Sequence, residues 1–582
     1  MAQDIINIKR PQRWDVPFWS ELAGDLTREM TAADVDRLLQ FPLFQQMDPK
    51  RFSAASPLRD VLLNDARLRT FKPGDIVVRQ GDYGSSAFII LTGAARVLLE
   101  KIDDSLIGRQ PSQRKNFFAA LSQLWKTPAL PEVRPFLNDG GRPRPARAGG
   151  QVAAETAVFV QDVTAILRDK RTAVLKEGEL FGEIAALSRT PRTTTVAVDC
   201  PTEMLEIRWQ GLREIRLRSP EFKEHIDRLY RERSLKTHLL ETEMFKHLDD
   251  ATLEQVAQAT EFLTIGDFDW YADFAKGRQA AAAEQLRQEP VVARQGHYAN
   301  GVYLIRSGFA RLSETYNHGE RTVSYLGRGQ TFGFEELARN WRDKSQLPFQ
   351  RSLRALGYVD VLFVPTQIVE QYVLPTLPAP LLPAEAEPEH PAAGRPREAP
   401  AAKIRPEMME FIVDQRLING TATMIIDLNR CTRCDDCVRA CAATHDNNPR
   451  FIRHGQVNDG FMIANSCMHC LDPICMIGCP TGAIHRDSAH GRVVINDLTC
   501  IGCATCANSC PYDNIQMVTP RNAEGQPFYD QATNQPIQKA AKCDLCSNQI
   551  TGPACANACP HDALHRVNMR DMGPLAVLLN RQ

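Results

Sequence analysis

Residues 500–511 read CIGCATCANSCP, four cysteines spaced C-x2-C-x2-C-x3-C with a proline directly after the last. Three thiolates placed this closely can wrap one face of a small metal–sulfur cage, whereas its fourth corner must be met from elsewhere. The same spacing occurs earlier in the sequence, at Cys431, Cys434, Cys437 and Cys441.

Two further runs follow the pattern with a longer central gap. They are Cys467, Cys470, Cys475 and Cys479, followed by Pro480, and Cys543, Cys546, Cys555 and Cys559, followed by Pro560. All of the 17 cysteines except Cys200 therefore fall into four sets of four. C-x2-C pairs alone are typical of zinc, and disulfides are the other alternative. The repeated three-plus-one pattern with its proline favours iron–sulfur ligation, and we predict four [4Fe-4S] clusters.

The residues around these cysteines carry a family resemblance. Residues 426–428 read IDL ahead of Cys431, residues 510–515 read CPYDNI, and residues 542–546 read KCDLC with PAC at 553–555. With these motifs, residues 423–567 resemble the four-cluster ferredoxin-like electron-transfer subunits of molybdopterin oxidoreductases, of the dimethyl sulfoxide reductase type, and of hydrogenases. The resemblance implies an α+β bis-ferredoxin-like domain and a separate catalytic partner subunit, either a hydrogenase or a molybdopterin enzyme.

The resemblance also implies crossed ligation, in which the last cysteine of each run binds the cluster of another run. Site I would take Cys431, Cys434, Cys437 and Cys559. Site II would take Cys543, Cys546, Cys555 and Cys441. Site III would take Cys467, Cys470, Cys475 and Cys510. Site IV would take Cys500, Cys503, Cys506 and Cys479. Histidines near the runs are expected to lie at the surface or behind the ligands: His445, His469, His485 and His561.

A different pattern precedes the cysteines. Residues 71–97, FKPGDIVVRQGDYGSSAFIILTGAARV, alternate apolar residues with glycines, as short strands and tight turns require. The segment RQGDY at 79–83 is echoed by RQGHY at 294–298. This repeat predicts a tandem domain duplication.

The first copy continues at 180–196 with LFGEIAALSRTPRTTTV, which resembles the phosphate-binding cassette of cyclic nucleotide-binding domains. The resemblance implies a β jelly-roll barrel with flanking helices and, for an intact cassette, a nucleotide site. In that site Glu183 takes the ribose hydroxyl and Arg192 pairs with the phosphate. The full expected contact set, for cyclic AMP or cyclic GMP, is Gly182, Glu183, Ile184, Ala185, Arg192 and Thr193.

The second copy departs from this pattern. Residues 332–338 read FGFEELA, no Pro-Arg pair follows, and the next plausible arginine is Arg351. We expect the second barrel to be structural or to hold something other than a cyclic nucleotide.

Five segments follow from these patterns and from a proline-rich stretch without apolar periodicity. The sequence predicts an N-terminal extension (1–30), cyclic nucleotide-binding-like domain 1 (31–235) with an insertion (101–173), domain 2 (236–372), a linker (373–406) and a four-cluster ferredoxin-like domain (407–582). Two jelly-roll barrels are thus expected beside one α+β domain.

Composition narrows the function. A net charge of −1 argues against nucleic-acid binding, and no apolar run is long enough to span a membrane. The start of the sequence shows no charged-then-apolar leader, so we expect a cytoplasmic protein. We predict an electron-transfer component of an oxidoreductase complex, without a catalytic site of its own and gated by cyclic nucleotide. Two alternatives stay open: an oligomerising scaffold whose barrels bind nothing, and a redox-sensing regulator.

Overall fold

The structure is a computed structural model. It describes residues 6–18, 29–53, 56–98, 130–133, 172–188, 191–230, 235, 239–240, 242–266, 274, 288–316, 319–378, 404–487, 490–522, 524–546, 549 and 552–580. Most of the insertion predicted at 101–173 and residues 379–403 of the predicted linker lie outside these ranges.

The N-terminal part folds as a helical lead-in followed by what we call the first β region, residues 66–208. The strands of this N-terminal part are β1 (Ile6–Ile8), β2 (Ala66–Phe71), β3 (Ile76–Val78), β4 (Ser86–Thr92), β5 (Ala95–Leu98), β6 (Thr172–Leu175), β7 (Leu180–Phe181), β8 (Thr195–Ala197) and β9 (Thr202–Arg208). Its helices are α1 (Ala32–Leu39), α2 (Pro42–Gln45), α3 (Leu58–Asp65), α4 (Glu183–Ser188), α5 (Trp209–Arg218) and α6 (Pro220–Tyr230).

The first β region consists of two four-stranded antiparallel sheets. Their orders are β2-β9-β4-β7 and β3-β8-β5-β6. The apolar side chains that alternate in the sequence form one core, in which Phe88 of β4 stacks on Phe181 of β7 with their ring centroids 5.3 Å apart. Because β7 leads directly into α4, this register places the start of α4 over the end of the sheet.

The next part is what we call the second β region, residues 261–365. It comprises β10 (Glu261–Gly266), β11 (Val291–Ala293), β12 (Gly301–Tyr316), β13 (Gly319–Leu326), β14 (Thr331–Phe332), α8 (Phe334–Asp343) and β15 (Ser352–Pro365). Helix α7 (Asp250–Ala259) precedes it and α9 (Thr366–Ile368) follows it. One six-stranded antiparallel sheet has the order β10-β15-β12-β13, with β11 paired to β15 and β14 paired to β12.

The cysteines lie in the last part, which is built from short elements. These are α10 (Pro406–Asp414), β16 (Thr423–Asp427), α11 (Asp436–Thr444), β17 (Phe451–Asn458), β18 (Phe461–Ser466), α12 (Ile474–Ile477), β19 (Ile484–Arg486), β20 (Val493–Ile495), α13 (Thr505–Ser509), β21 (Gln516–Val518), β22 (Phe528–Asp530), β23 (Lys539–Ala541), α14 (Ala554–Asn557), β24 (Leu564–Val567) and α15 (Met572–Leu579). The strands form one sheet of order β17-β18-β16-β24 and the pairs β19-β20, β21-β23 and β1-β22. Single turns of 3-10 or π helix cover Arg13–Asp15, Pro49–Arg51, Glu243–Phe245, Val369–Val373, Leu374–Thr376 and Leu417–Asn419.

The protein divides into two compact units. The first contains Met1–Ile226, Met424–Gln456 and Met462–His565, and so joins the first β region to the cysteine runs. The second contains Asp227–Thr423, Val457–Phe461 and Arg566–Gln582. The architecture is therefore multidomain, as predicted from the sequence.

Buried polar contacts tie the second unit together. Arg311 of β12 is 2% exposed and donates to both carboxylate oxygens of Glu289, at 2.8 and 2.9 Å. It also pairs with Asp414 of α10 at 2.7 Å. Tyr325 of β13 donates its hydroxyl to the carbonyl of Met569 at 3.1 Å, and burial raises the pKa of this tyrosine to about 12. These contacts fasten α10 and the C-terminal segment to the second β region. Among the described residues, every helix is too short or too polar to cross a membrane.

Candidate metal centres and ligand cassette

The cysteine runs share an unusual backbone conformation. Residues between consecutive cysteines adopt positive φ, among them Arg433 and Asp435 in the first run and Gly502 and Ala504 in the third. Such angles are costly for residues other than glycine and persist only where the surrounding structure requires them. Tightly turned backbone of this kind is what a loop that wraps a compact cluster needs.

Sites I and II lie where α11 packs against α14. Cys431, Cys437 and Cys559 belong to one buried cluster together with Cys441 and Cys555. Burial and the neighbouring Cys559 and Cys431 raise the pKa of Cys437 to about 11. The last cysteine of the fourth run thus lies beside the first run.

The cysteines assigned to site III also come from two runs that lie close together. The pKa of the Cys470 thiol is raised well above its usual range by burial and by the nearby sulfurs of Cys467, Cys510 and Cys475. Some of the surface of Cys510 is exposed, but its thiol group is buried. This burial raises the pKa of the Cys510 thiol to about 11. The third run therefore supplies its last cysteine to the group formed by the second run.

Site IV surrounds a cavity. Cys479 lines this cavity together with Cys500, Cys503 and Cys506. The rest of the lining is mainly apolar and includes Ile484, Ile501, Met517 and Ala540. Burial and the sulfurs of Cys479, Cys500 and Cys503 raise the pKa of Cys506 to about 12. Four sulfurs around an apolar cavity match the ligand set of a cubane and its low-polarity surroundings.

The raised thiol pKa values bear on whether these cysteines can hold an iron–sulfur cluster. Iron binds the thiolate, so a cluster must displace four protons at each site and compensate for burial of the charge. Backbone amides are already aimed at the sulfurs. Arg450 N donates to Cys441 Sγ at 3.2 Å, and Ala563 N donates to Cys559 Sγ at 3.3 Å. Such hydrogen bonds stabilise ligated sulfur, so the donor set fits an iron–sulfur cluster.

A lysine near the sites was not assigned a role from the sequence. Lys542 is 7% exposed, and its Nζ contacts the carbonyl of Val493 and, at 3.0 Å, that of Cys543. Although burial opposes the charged form, the sulfurs of Cys467, Cys475 and Cys543 raise its pKa. Lys542 thus places a positive charge near cysteines of both the second and the fourth run. Its only sequence signal is its position in the KCDLC motif.

His445 lies behind site II. Its Nε2 is 2.9 Å from Asp544 Oδ1, and its Nδ1 is 3.7 Å from Cys441 Sγ. Burial disfavours the charged ring, but Asp544 and the contacts to Cys441 and Cys546 raise the pKa of His445. The contact with His445 lowers the pKa of Asp544, although burial acts to raise it.

The other three histidines near the cysteine runs differ in burial. His469 is buried and accepts a hydrogen bond from Val493 N at 3.2 Å, His485 is partly buried, and His561 is exposed.

The cassette of the first β region brings together some of its expected residues. Arg192 is 4% exposed, and its Nη1 donates to the carbonyl of Gly182 at 2.7 Å. Glu183 begins α4 and is 2% exposed, and Ala185 on the same helix is buried. Gly182 has φ +79°, and a Cβ there would lie 2.6 Å from Arg192 Nη1. Thr193 is exposed, and the Ile184 side chain lies outside what the structure describes.

The second cassette differs at the position of the arginine. In the first β region, Gly81 N donates to Arg192 O and Arg192 N donates to Asp82 O, both at 2.8 Å. In the second β region, Gly296 N donates to Phe349 O at 2.8 Å, and Phe349 N donates to His297 O at 2.9 Å. Phe349 therefore occupies the place of Arg192, and Arg351, the arginine considered from the sequence, is exposed.

An aromatic cluster fills the space beside this second cassette. Phe349 is 2% exposed and lies 4.9 Å from Phe332 and 6.3 Å from Tyr303 between ring centroids. Tyr303 also meets Phe363, with centroids 4.8 Å apart. A Cβ on Gly333 would lie 3.0 Å from the Phe349 ring. The corresponding neighbour of Gly182 in the first β region is the Arg192 guanidinium.

Family models match two stretches of the sequence, one in the second β region and one in the cysteine-bearing part. A family model described as a 4Fe-4S dicluster domain matches residues 458–569, and one described as a cyclic nucleotide-binding domain matches residues 283–374. Electron transport protein HydN of Escherichia coli (strain K12) is 34% identical over 144 residues, which are 22% of this sequence and 79% of HydN. The B subunit of anaerobic dimethyl sulfoxide reductase of Haemophilus influenzae is 35% identical over 144 residues, which are 21% of this sequence and 61% of that protein. Among solved structures, the regulatory domain of Toxoplasma gondii PKA with cAMP aligns at 15% identity and a TM-score of 0.20, covering 59% of this protein and 91% of that domain.

Proposed function

Because this protein belongs, through its C-terminal part, to the family of 4Fe-4S electron-transport proteins, we propose that it relays electrons through four [4Fe-4S] clusters. The clusters would exchange electrons with a separate catalytic subunit, either a hydrogenase or a molybdopterin oxidoreductase. The observation that carries this proposal is the spacing of sixteen cysteines in four runs, supported by the proximity of the four cysteines assigned to site III and of the four assigned to site IV. A cubane bound at each site supplies one-electron chemistry.

The protein's own residues have three tasks in this relay. The cysteine thiolates hold the clusters, and the amides of Arg450 and Ala563 donate to ligand sulfurs. The Lys542 ammonium offsets negative charge near cysteines of the second and the fourth run. The apolar lining of site IV limits the solvation changes that accompany a change of charge there. Thiolates of this kind remain available in a reducing compartment, so we place the protein in the cytoplasm.

Electron counting tests the relay. The anaerobically reconstituted full chain, reduced stepwise at controlled potential, should accept about four electrons, one for each cubane. Electron paramagnetic resonance spectra recorded along the titration should show interacting reduced clusters. Uptake of about two electrons, or none, would contradict the proposal of four clusters.

A second role concerns the first β region, which we take to be a jelly-roll barrel that binds a cyclic nucleotide. A buried guanidinium beside Gly182 and the first turn of α4 supports it, because a planar fork and the N-terminal end of a helix suit a phosphate. Glu183, at the start of the same helix, suits the ribose hydroxyl. Calorimetric titration of the full chain with cyclic AMP and cyclic GMP tests this role, and absence of heat with both ligands would refute it.

A structural role suits the second β region. The place of the phosphate-pairing arginine is taken by Phe349, and the surrounding rings fill the space. The Glu289–Arg311–Asp414 contacts fasten α10 to this region. We therefore assign the second β region to a scaffold that secures the segments flanking the cysteine runs.

A further inference from the structure

Arg486 braces the loop that carries Cys470 in site III. Its Nη2 donates to the carbonyls of Cys470 and Leu471, at 2.8 and 2.6 Å, and its Nη1 donates to the carbonyl of Gly491 at 2.6 Å. Arg486 is 9% exposed. Three charge-assisted hydrogen bonds in a buried place hold this loop more firmly than the same bonds would in water.

Tyr83 of the first β region lies against the same guanidinium. The Arg486 Cζ atom is 5.2 Å from the centroid of the Tyr83 ring, within the range of a cation–π contact. The ring also meets the backbone of Gly491, where a Cβ would lie 2.3 Å from Tyr83 Cε2. The ring therefore fits closely against a glycine and an arginine of the cysteine-bearing region, and both regions belong to the first unit.

Tyr83 also belongs to the loop that encloses Arg192. Gly81 and Asp82 exchange backbone hydrogen bonds with Arg192 at 2.8 Å, and Tyr83 forms a β-bridge with Pro191. On the other side of Tyr83 in the sequence, a Cβ on Gly84 would lie 2.2 Å from the Arg192 guanidinium. A change in the position of Arg192 must therefore move the backbone on either side of Tyr83.

We infer that Tyr83 and Arg486 couple the cassette around Arg192 to site III, so that a change at the cassette alters how readily the cluster of site III is reduced. The inference rests on the proposed function, because it needs a cluster at site III. Cluster potentials depend on the hydrogen bonds, exposure and nearby charge around the ligand sulfurs. Displacing Arg486 would change all three near Cys470. Arg486 acts here as a positioning residue, and Tyr83 connects it to the cassette.

The test is an anaerobic redox titration of the reconstituted full chain, with each cluster followed by electron paramagnetic resonance. Loss of one signal in Cys467→Ala identifies site III. We expect Tyr83→Ala and Arg486→Met each to shift the reduction equilibrium of that cluster, by roughly tenfold, or about 59 mV for a one-electron couple. In the double variant the shifts should not add, because the two residues act through one contact. Tyr83→Phe keeps the ring and should restore the wild-type potential.

Arg10 provides a matched control. It holds the carbonyls of Ile501 and Gly502 in site IV, at 3.0 and 2.8 Å, and belongs to neither the cassette nor its loop. Arg10→Met should shift a different cluster and leave that of site III unchanged. Cyclic AMP, if bound, should shift the site III signal in the wild type and not in Tyr83→Ala.

The outcomes separate the inference from the function on which it rests. Full cluster content with a site III potential unchanged in Tyr83→Ala would overturn the coupling while leaving the relay in place. Additive shifts in the double variant would overturn it as well. Loss of clusters in the wild type would instead refute the proposed relay. If neither nucleotide binds, the coupling is still tested, because the Tyr83, Arg486 and Arg10 variants are compared in the absence of any nucleotide.

Discussion

Phe349 in the second β region takes the backbone position that Arg192 holds in the first. Each residue exchanges two backbone hydrogen bonds with a Gly-containing turn, Gly81–Asp82 for Arg192 and Gly296–His297 for Phe349. The side chains differ in kind, one a buried guanidinium and the other an aromatic ring among aromatic rings. The same backbone position therefore carries a charged side chain in the first β region and a packed aromatic ring in the second.

Nucleotide binding should depend on Arg192 and not on Arg351. Arg192→Lys keeps a positive charge but loses the planar fork, and Arg192→Ala loses both. Hydrogen bonds to charged groups contribute about 1.5 to 3 kcal/mol, so binding should weaken by roughly tenfold or more. Calorimetry on the full chain gives the affinity. Arg351→Ala is the control, and a loss of binding in that variant would contradict the assignment.

Replacement of Phe349 should affect stability alone. Phe349→Ala removes a buried ring and should cost about 3 to 5 kcal/mol of unfolding free energy. Phe349→Arg, which imitates the first cassette, should also destabilise, because it buries an unpaired charge among rings. Urea unfolding checks both variants. A stable Phe349→Arg protein that gains a second nucleotide site would show that the aromatic cluster is not a fixed core.

The crossed ligation predicts which cysteine variants resemble one another. Cys479→Ala should disturb the same spectral signal as Cys500→Ala, although Cys479 belongs to the second run, because both line the cavity of site IV. Cys510→Ala should instead match Cys467→Ala. Iron analysis and electron paramagnetic resonance distinguish the pairs.

Cys200→Ala is the control for this series and should keep the full iron content. Cys200 is partly buried in the first β region, with its Sγ 3.7 Å from the carbonyl of Ala94. If Cys479→Ala paired with Cys467→Ala, each run would serve its own cluster and the crossing would be wrong.

Acid should weaken the first β region through Glu206. This carboxylate is 1% exposed, and although burial opposes its charge, Arg67 and Arg69 lower its pKa to about 2. A lowered folded-state pKa contributes stability that is complete above the unfolded value of 4.5 and is lost as the pH falls toward 2. Glu206→Gln leaves buried arginines without their counter-charge and should cost about 3 kcal/mol at pH 7.

The pH dependence of that cost is the measurable signature. The gap between the urea midpoints of wild type and Glu206→Gln should be constant from pH 7 to about 5 and should narrow below the unfolded pKa of 4.5. Both proteins carry the same cysteines, so acid effects on the clusters cancel in the comparison. A difference between the two urea midpoints that grew as the pH fell would contradict the assignment of a charged Glu206 in the folded protein.

The sequence predicted the parts of the site that depend on local spacing. Cluster ligands recur at fixed intervals because the loop between them must curl around one cage, so the cysteines were recognisable without a structure. Crossed partners such as Cys479 and Cys500 came only from the family resemblance. The relation of Lys542 to two cysteine sets was not predictable, because its neighbours come from distant segments.

The second cassette also shows what could not be predicted from the sequence. Pro348-Phe349 echoes Pro191-Arg192, but a longer stretch separates it from its glycine, and α8 has to be formed before the two positions can be compared. The next arginine in the sequence, Arg351, is exposed and lies two residues past the equivalent position. The contact of Tyr83 with Arg486 was likewise hidden, because periodicity describes one region at a time and cannot show how two regions meet.

Iron and acid-labile sulfide analysis with Mössbauer spectroscopy on the anaerobically purified full chain tests the central claim most directly. The account predicts about sixteen irons and as many sulfides per molecule, all with the spectrum of [4Fe-4S] clusters. About eight irons, isolated iron sites with four thiolates, or zinc in place of iron would contradict it.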